Sequence, residues 1–222
     1  MRKVLAILVL VACSFAAGAQ IGRGYFTNNP DRKFYGGFAA GLNFSSLRGD
    51  AYEGYRKVGL NLGPTVYVKL LPKLLASLDL LYTQKGCRGV RVLESYYSGQ
   101  FIESYSVNLN YYEVPVVLHY LLDDKWNIGA GAAYGGLISS KEDAYTDQPF
   151  TFNPSLTAFR TEDISYVLDA SMQFYKGWFV NMRYQQSMVT IRDVQNIPYY
   201  FSNGAGRQGN SLFSLRLIRL IP

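Results

Sequence analysis

Apolar and polar side chains alternate along residues 109–120, which read LNYYEVPVVLHY. Every even-numbered residue from Tyr112 to Tyr120 is apolar, whereas the odd-numbered residues include Glu113 and His119. Alternation with period two predicts a β-strand that has one apolar and one polar face. Eight steps of about 3.3 Å, tilted by about 40°, span about 20 Å, which is close to the hydrocarbon thickness of an outer membrane. A soluble edge strand has a similar pattern, so the rest of the chain has to decide.

The first 19 residues have the pattern of an export signal peptide. A basic start is followed by an apolar run and then by small residues at the predicted cleavage site. The apolar run is too short to span a membrane as a helix. The same residues also fit a lipoprotein cleavage box, which would lipidate Cys13. We predict a signal peptide over residues 1–19, a periplasmic N-terminal lead over 20–34 and one domain over 35–222.

Composition excludes several classes of protein. Hydrophobic residues make up 49% of the chain, yet no stretch after the signal peptide holds 18 consecutive apolar residues. A membrane protein without spanning helices is a closed β-barrel, because lipid offers its backbone groups no other partner. The formal net charge is +6 without any run of Lys or Arg, so nothing indicates nucleic acid as a partner. Cys87 is the one cysteine after the signal peptide, which excludes an internal disulfide.

Seven further segments alternate in the same way as residues 109–120. They are residues 36–46, 58–70, 74–85, 126–138, 164–175, 178–190 and 211–221. Eight such segments predict an all-β fold, an eight-stranded antiparallel up-and-down transmembrane β-barrel. The 19 tyrosines and 13 phenylalanines are many for this length and fit aromatic girdles at the membrane boundaries. The predicted lipid-facing girdle residues are Tyr112, Tyr120, Trp126 and Trp178.

The connections between these segments alternate between short and long. Short connections fall near residues 71–73, 122–124 and 175–177, whereas residues 139–161 and 191–210 form long ones. Outer-membrane barrels have short periplasmic turns and long extracellular loops. We therefore expect both chain termini in the periplasm and the protein in the bacterial outer membrane.

The short turns predict how the strands pair. Residues directly opposite in an antiparallel pair point to the same side of the sheet. Three-residue loops then place residues of the same face opposite each other. The predicted pairs are Phe174 with Trp178, Leu70 with Leu74 and Leu121 with Lys125. Gly177 falls at the loop position that favours a left-handed glycine. The same register places Asp169 opposite Arg183 inside the barrel.

Several charged residues are predicted to face the lumen. The main candidates for a structural cluster are Asp79, Glu113, Asp169, Arg183 and Arg216. An eight-stranded barrel has an interior that side chains just fill, so we expect ion pairs there and no open pore. His119 also faces inward in this register, with Asn127 opposite and no serine beside it. A catalytic role would need a serine that the histidine activates.

The chain resembles the PorT-like outer-membrane β-barrel family of Bacteroidetes. The matching pieces are GLNFSSL at 41–47, LYTQKG at 81–86, residues 109–120, AGAAYGGLISSK at 130–141, and residues 163–191 with their central Arg183-Tyr184. Their order and spacing carry the resemblance. It implies an outer-membrane barrel needed for export of cargo by type IX secretion. Two departures are the Leu-Ile-Pro ending, where barrels commonly end in an aromatic residue, and the length of the loop 191–210.

The long loops contain many aromatic residues, which are enriched at protein interfaces. The candidates for partner binding are Tyr96, Tyr97, Tyr145, Tyr199 and Tyr200. The alternative is that they pack on one another or on the barrel wall. The lead over residues 20–33 is a second possible contact, or else a disordered tail.

These observations leave three functional hypotheses. The first is a non-enzymatic accessory or structural component of an envelope machine such as type IX secretion. The second is a free-standing surface barrel that binds ligands or stabilises the outer membrane. The third, an enzyme, is a lipid A-modifying hydrolase that uses His119. The expected partners are outer-membrane lipid and other envelope proteins. No cofactor, metal site or catalytic residue is predicted.

Overall fold

The structure is a computed structural model that describes residues 24–28, 31–50, 54–89, 93–94, 101–146, 158–193 and 207–221. Eight strands form the sheet, and their positions agree with the eight alternating segments of the sequence. They are β1 (Phe34–Arg48), β2 (Lys57–Leu71), β3 (Leu74–Asp79 and Leu81–Gly89), β4 (Phe101–Leu121), β5 (Trp126–Thr146), β6 (Glu162–Tyr175), β7 (Trp178–Ser187) and β8 (Arg207–Ile221). Two short pieces, Leu93–Glu94 and Arg192–Asp193, pair with β4 and β8.

The sheet closes on itself. Each strand pairs antiparallel with the next, and β1 pairs with both β2 and β8. The predicted all-β, eight-stranded antiparallel architecture is therefore confirmed. Among the described residues, no helix is long and apolar enough to cross a membrane. β4 and β5 are longer than predicted and pair as far as Ile102 and Thr146, so they extend as a ribbon beyond β6, whose pairing with β5 ends at Gly136.

Alternation along the strands separates an apolar outer wall from a polar lumen. In β4, the outward-facing Val116 and Leu118 are about half exposed, whereas the inward-facing Glu113 and His119 are buried. The wall exposes large apolar side chains on every strand, including Phe38, Leu42, Leu60, Val66, Leu78, Ile128, Leu168, Met182, Leu215 and Leu217. A row of exposed apolar residues opposite buried charges is the pattern of a barrel surrounded by lipid.

Two of the three predicted turn registers are confirmed. Lys69 lies opposite Leu75, and Asp169 lies opposite Arg183, which are the registers that the predicted loops require. The turns themselves contain two residues, and a bulge next to each one absorbs the third. Gly177 has a φ of 73°, as expected for a left-handed glycine.

The third register prediction is wrong by two residues. Leu121 lies opposite Asn127, not Lys125. The loop is longer because Asp123 Oδ1 accepts hydrogen bonds from the backbone N–H groups of Lys125 and Trp126, each at 2.7 Å. This side-chain-to-backbone turn replaces the shorter hairpin.

Candidate functional site

Four charged side chains form a closed ion-pair layer across the lumen. Arg183 donates from Nε and Nη2 to the two oxygens of Asp169, at 2.8 Å each. Its Nη2 is also 3.2 Å from Asp79 Oδ2. Arg216 lies 3.2 Å from Asp79 Oδ2 and 3.6 Å from Asp169 Oδ2. The predicted Asp169–Arg183 pair is present, and two arginines balance two carboxylates.

Glu113 belongs to a second layer and not, as predicted, to the same cluster. Lys85 Nζ lies 2.6 Å from Glu113 Oε1 and 3.0 Å from Asp163 Oδ2. Gln185 donates to Glu113 at 2.7 Å, and Asn210 donates to Asp163 at 3.0 Å. Glu113 therefore lies apart from the four-residue layer, on the side of the lumen that is nearer the long loops. Asp163 was not among the predicted lumen residues, although it occupies an inward position two residues before Ser165.

Both layers are closed to water. The side chains of Asp79, Asp169, Arg183 and Arg216 are at most 5% exposed, and Lys85 and Glu113 are at most 1% exposed. A water-filled channel would expose the charged groups that line it. At these levels the lumen is therefore filled with side chains, as the width of an eight-stranded barrel leads one to expect.

His119 has a serine neighbour, contrary to the prediction. Ser77 Oγ lies 2.8 Å from His119 Nε2, and the residue opposite His119 is Gly129, not Asn127. A Cβ at position 129 would lie 2.6 Å from His119 Nδ1, so the glycine leaves space for the imidazole. Both side chains of this pair are buried, and the Tyr67 ring lies 5.2 Å from the imidazole. A bound lipid would have no route to the serine from the described outer wall.

Residues 24–28 close the lumen at the end that carries the short turns, which we call the turn end. Phe26 is 4% exposed and its ring lies 5.0 Å from Tyr35 and 5.3 Å from Phe179. Tyr25 N–H donates to Gln173 Oε1 at 2.8 Å, and Lys69 Nζ donates to the Phe26 carbonyl at 3.1 Å. This part of the lead is thus ordered, and the disordered-tail alternative is wrong for residues 24–28.

The turn fits tightly against the barrel. Thr27 Oγ1 donates to Asp124 Oδ1 at 2.8 Å, and a Cβ at Gly24 would come 1.9 Å from the Asp124 carbonyl oxygen. Burial raises the pKa of the Tyr25 phenol above its usual value, although the charges of Arg32 and Arg219 oppose this shift. The phenol therefore stays neutral, and it donates to the Leu220 carbonyl at 3.3 Å.

An apolar cluster closes the other end of the lumen, which we call the loop end. Its members are fully or almost fully buried: Leu47, Cys87, Tyr105, Val107, Leu109, Tyr111 and Ile191. Above it, Arg192 Nη1 donates to Glu142 Oε1 at 3.1 Å, and the guanidinium lies 4.1 Å from the Phe159 ring. Cys87 is a free, buried thiol inside this cluster.

The predicted girdle residues all lie on the outer wall. Tyr112, Tyr120 and Trp126 are 46%, 48% and 45% exposed. Trp178 is partly exposed, and the Arg219 guanidinium lies 5.2 Å from its ring. Tyr112 stands at the loop-end boundary and the other three at the turn-end boundary, where the outer face changes from apolar to polar.

The predicted partner-binding tyrosines cannot be placed in the same way. Tyr96, Tyr97, Tyr199 and Tyr200 lie outside the described residues, as does Cys13. Tyr145 pairs with Ser104 through its backbone in β5, but its side chain is outside the described part. Within the described residues, no group of three His, Cys, Asp or Glu side chains is arranged to hold a metal ion.

A closed antiparallel ring with an apolar wall and a charged, filled lumen defines a transmembrane β-barrel. The sequence matches the family described as outer membrane protein beta-barrel domain over residues 15–191, well over half of the chain. The chain belongs to this family, and the protein resides in the bacterial outer membrane. Short turns of such barrels face the periplasm, so the turn end is the periplasmic end.

Several solved structures resemble the chain at low sequence identity. Ail of Yersinia pestis, crystallised with the heparin analogue sucrose octasulfate, is 10% identical with a TM-score of 0.46, covering 86% of this chain and all of Ail. Neisserial surface protein A is 8% identical with a TM-score of 0.43, covering 84% of this chain and 96% of that one. OprG of Pseudomonas aeruginosa is 12% identical with a TM-score of 0.38, covering 85% and 94%. No curated protein matches the sequence.

Proposed function

We propose that the protein is a non-enzymatic accessory or structural component of an envelope machine, of which type IX secretion is the first candidate. The observation that carries the proposal is the filled lumen. Two layers of ion pairs and an apolar cluster at each end leave the barrel unsuited to conduct solutes. A closed barrel acts through its outer surfaces, so its partners are lipid and other proteins.

Two features supply surfaces for such partners. The ribbon of β4 and β5 extends beyond β6 on the extracellular side. On the periplasmic side, the turn over residues 24–28 packs into the barrel mouth, and Lys73 and Lys176 are exposed on the short turns at the same end. The proposal includes an export signal over residues 1–19 and partner contacts by the loop tyrosines 96, 97, 145, 199 and 200. The resemblance to PorT-like proteins favours secretion as the process.

Deletion of the gene tests this proposal. We expect cargo proteins of type IX secretion to accumulate in the periplasm, and export to return when the full chain is supplied. A matched second strain carries a chain without residues 143–146, which shortens one edge of the ribbon, keeps Glu142 as the partner of buried Arg192 and leaves the lumen layers intact. Normal export after deletion would refute the secretion role.

The alternative of a free-standing surface barrel is separated by pull-down in mild detergent. Reproducible co-purification of envelope proteins with the intact chain, and their loss from the shortened ribbon variant, supports the machine component. A lone barrel in every preparation, together with unchanged export, supports the free-standing barrel.

The hydrolase alternative rests on one observation, the contact between Ser77 and His119. Both side chains are buried between the periplasmic apolar cluster and the ion-pair layer, so we expect no turnover of lipid. Ser77→Ala and His119→Gln variants should leave the lipid A of the host unchanged. Loss of a lipid A modification in both variants, with normal barrel folding, would establish the enzyme instead.

A further inference from the structure

Two arginines on the outer wall at the extracellular end have no ion-pair partner within the described part of the chain. Arg48 is the last residue of β1, Arg207 is the first of β8, and both are exposed. They line a groove of ≈ 300 Å³, and Arg48 also lines a second groove of ≈ 350 Å³. Since Gly49 borders both grooves as well, the two grooves adjoin and Arg48 stands between them.

The backbone around Arg48 leaves space for a ligand. Arg48 pairs with Gly209 across β1 and β8, and a Cβ at position 209 would lie 3.7 Å from the Arg48 Nη2. The guanidinium therefore lies beside bare backbone. Gly49 adopts a left-handed φ of 88°, which other residues rarely adopt, and a Cβ there would lie 2.1 Å from the Arg207 carbonyl oxygen, so the strand ends that carry the two arginines approach closely at this glycine.

The second groove adds hydroxyl groups to the guanidinium. The Tyr55 hydroxyl lies 2.9 Å and the Tyr184 hydroxyl 3.4 Å from Ser211 Oγ. Asp50 is the one acidic residue that lines either groove, and it is buried, with its carboxyl hydrogen-bonded to the Cys87 thiol. The Tyr184 hydroxyl donates to Gln186 Oε1 at 2.6 Å, so the charged groups accessible in the grooves are the two guanidinium groups, which suit an anion.

An aromatic and aliphatic wall lies directly below the grooves. Across β1 and β8, Phe44 faces Phe213, and one step further into the membrane Leu42 faces Leu215. All four side chains are 36–52% exposed. Arg48 is four residues beyond Phe44, which places it about 10 Å above that ring. This is the level at which lipid headgroups lie above their acyl chains.

We propose that Arg48 and Arg207 bind the phosphate of a phosphorylated lipid in the outer leaflet, whose acyl chains lie along the wall formed by β1 and β8. Guanidinium groups bind phosphate through paired, charge-assisted hydrogen bonds. The Tyr55 hydroxyl contacts the headgroup, and Phe44 and Phe213 contact the first carbons of the chains. The filled barrel thereby holds a specific lipid on one side of its wall.

Native mass spectrometry of the folded full-length barrel in mild detergent tests this proposal. The barrel is titrated with diphosphorylated lipid A, with the same lipid lacking its phosphates, and with inorganic phosphate. The test variant is Arg48→Met with Arg207→Met. The matched control is Arg88→Met with Lys141→Met, which removes the same charge from exposed positions on β3 and β5. Gel mobility of the unheated protein verifies that each variant is folded.

We expect one diphosphorylated lipid to bind the native barrel and the control variant, and the test variant to bind it at least about tenfold more weakly. The lipid without phosphates should bind weakly to all three proteins. Equal binding of both lipids to the native barrel would overturn the phosphate site. Equal weakening in the test and control variants would show unspecific charge attraction instead. Full competition by inorganic phosphate at the concentration of the lipid would assign the site to a free anion and overturn the lipid.

Discussion

Removal of Arg183 should strongly destabilise the barrel. This guanidinium makes two hydrogen bonds of 2.8 Å to Asp169 and lies 3.2 Å from Asp79. In an Arg183→Met variant, two buried carboxylates would share Arg216, whose contacts with them are 3.2 and 3.6 Å. Breaking a buried ion pair by removing one partner costs about 3–5 kcal/mol. The folding equilibrium should therefore shift between about a hundredfold and several thousandfold toward the unfolded chain.

The measurement is urea-dependent folding into phosphocholine vesicles, followed by the gel mobility of unheated samples. A double variant, Arg183→Met with Asp169→Asn, leaves Asp79 paired with Arg216 and no charge in excess. It should recover most of the lost stability, because unpaired buried charge is the main cost. The exposed Arg88→Met variant is the control and should change stability by less than about 0.5 kcal/mol. A loss below about 1 kcal/mol for Arg183→Met, or additive losses in the double variant, would refute this reasoning.

Three further predictions concern the turns and the buried thiol. Gly177→Ala should destabilise the barrel by about 1–2 kcal/mol in the same urea assay, because the residue has a φ of 73° and its new Cβ would lie 2.7 Å from the Leu220 carbonyl oxygen. Gly36→Ala, whose Cβ would enter open space, should be nearly neutral, and equal effects would contradict the argument. The Cys87 thiol, which is fully buried, should resist maleimide in the folded barrel and react in urea, so equal labelling rates would show that the loop end opens. The raised pKa of Tyr25 means that its phenol stabilises the docked turn fully below pH about 10 and loses this effect as the pH rises through the folded-state value. The protection of the amides of residues 24–28, relative to their intrinsic exchange rates at the same pH, should therefore fall at alkaline pH in the native chain and less in Tyr25→Phe, and identical profiles would exclude this role of the phenol.

Side-chain faces could be predicted from the sequence because they depend on one local property. A strand between lipid and a filled lumen needs apolar residues at every second position, whatever its partner is. The Asp169–Arg183 pair could also be predicted, since only the short turn at Lys176 and Gly177 separates β6 from β7. Counting residues outward from such a turn leaves little freedom in the register.

The contacts that could not be predicted lie across longer connections or depend on the assembled barrel. Ser77 and His119 lie on β3 and β4, which a long loop joins, so their register cannot be counted from a turn. The second ion-pair layer combines side chains of β3, β4 and β6, namely Lys85, Glu113 and Asp163. A long loop lies in the sequence between β3 and β4 and another between β4 and β6. The docking of Phe26 has no local signal either, because its aromatic partners lie on β1, β2 and β7.

The error at Leu121 indicates what the lumen charges do for folding. The predicted partner, Lys125, and the observed partner, Asn127, differ by two residues. The predicted face of every side chain was therefore correct although the predicted register was wrong. A slip of one residue would turn the apolar row toward the lumen, but a slip of two is invisible to the alternation of faces. Lipid and apolar packing alone therefore distinguish poorly between registers that differ by two. A slip of two between β6 and β7 would instead move Arg183 about 7 Å along Asp169's strand and break both of its 2.8 Å hydrogen bonds. The buried ion pairs thus select one register among those that the outer wall permits.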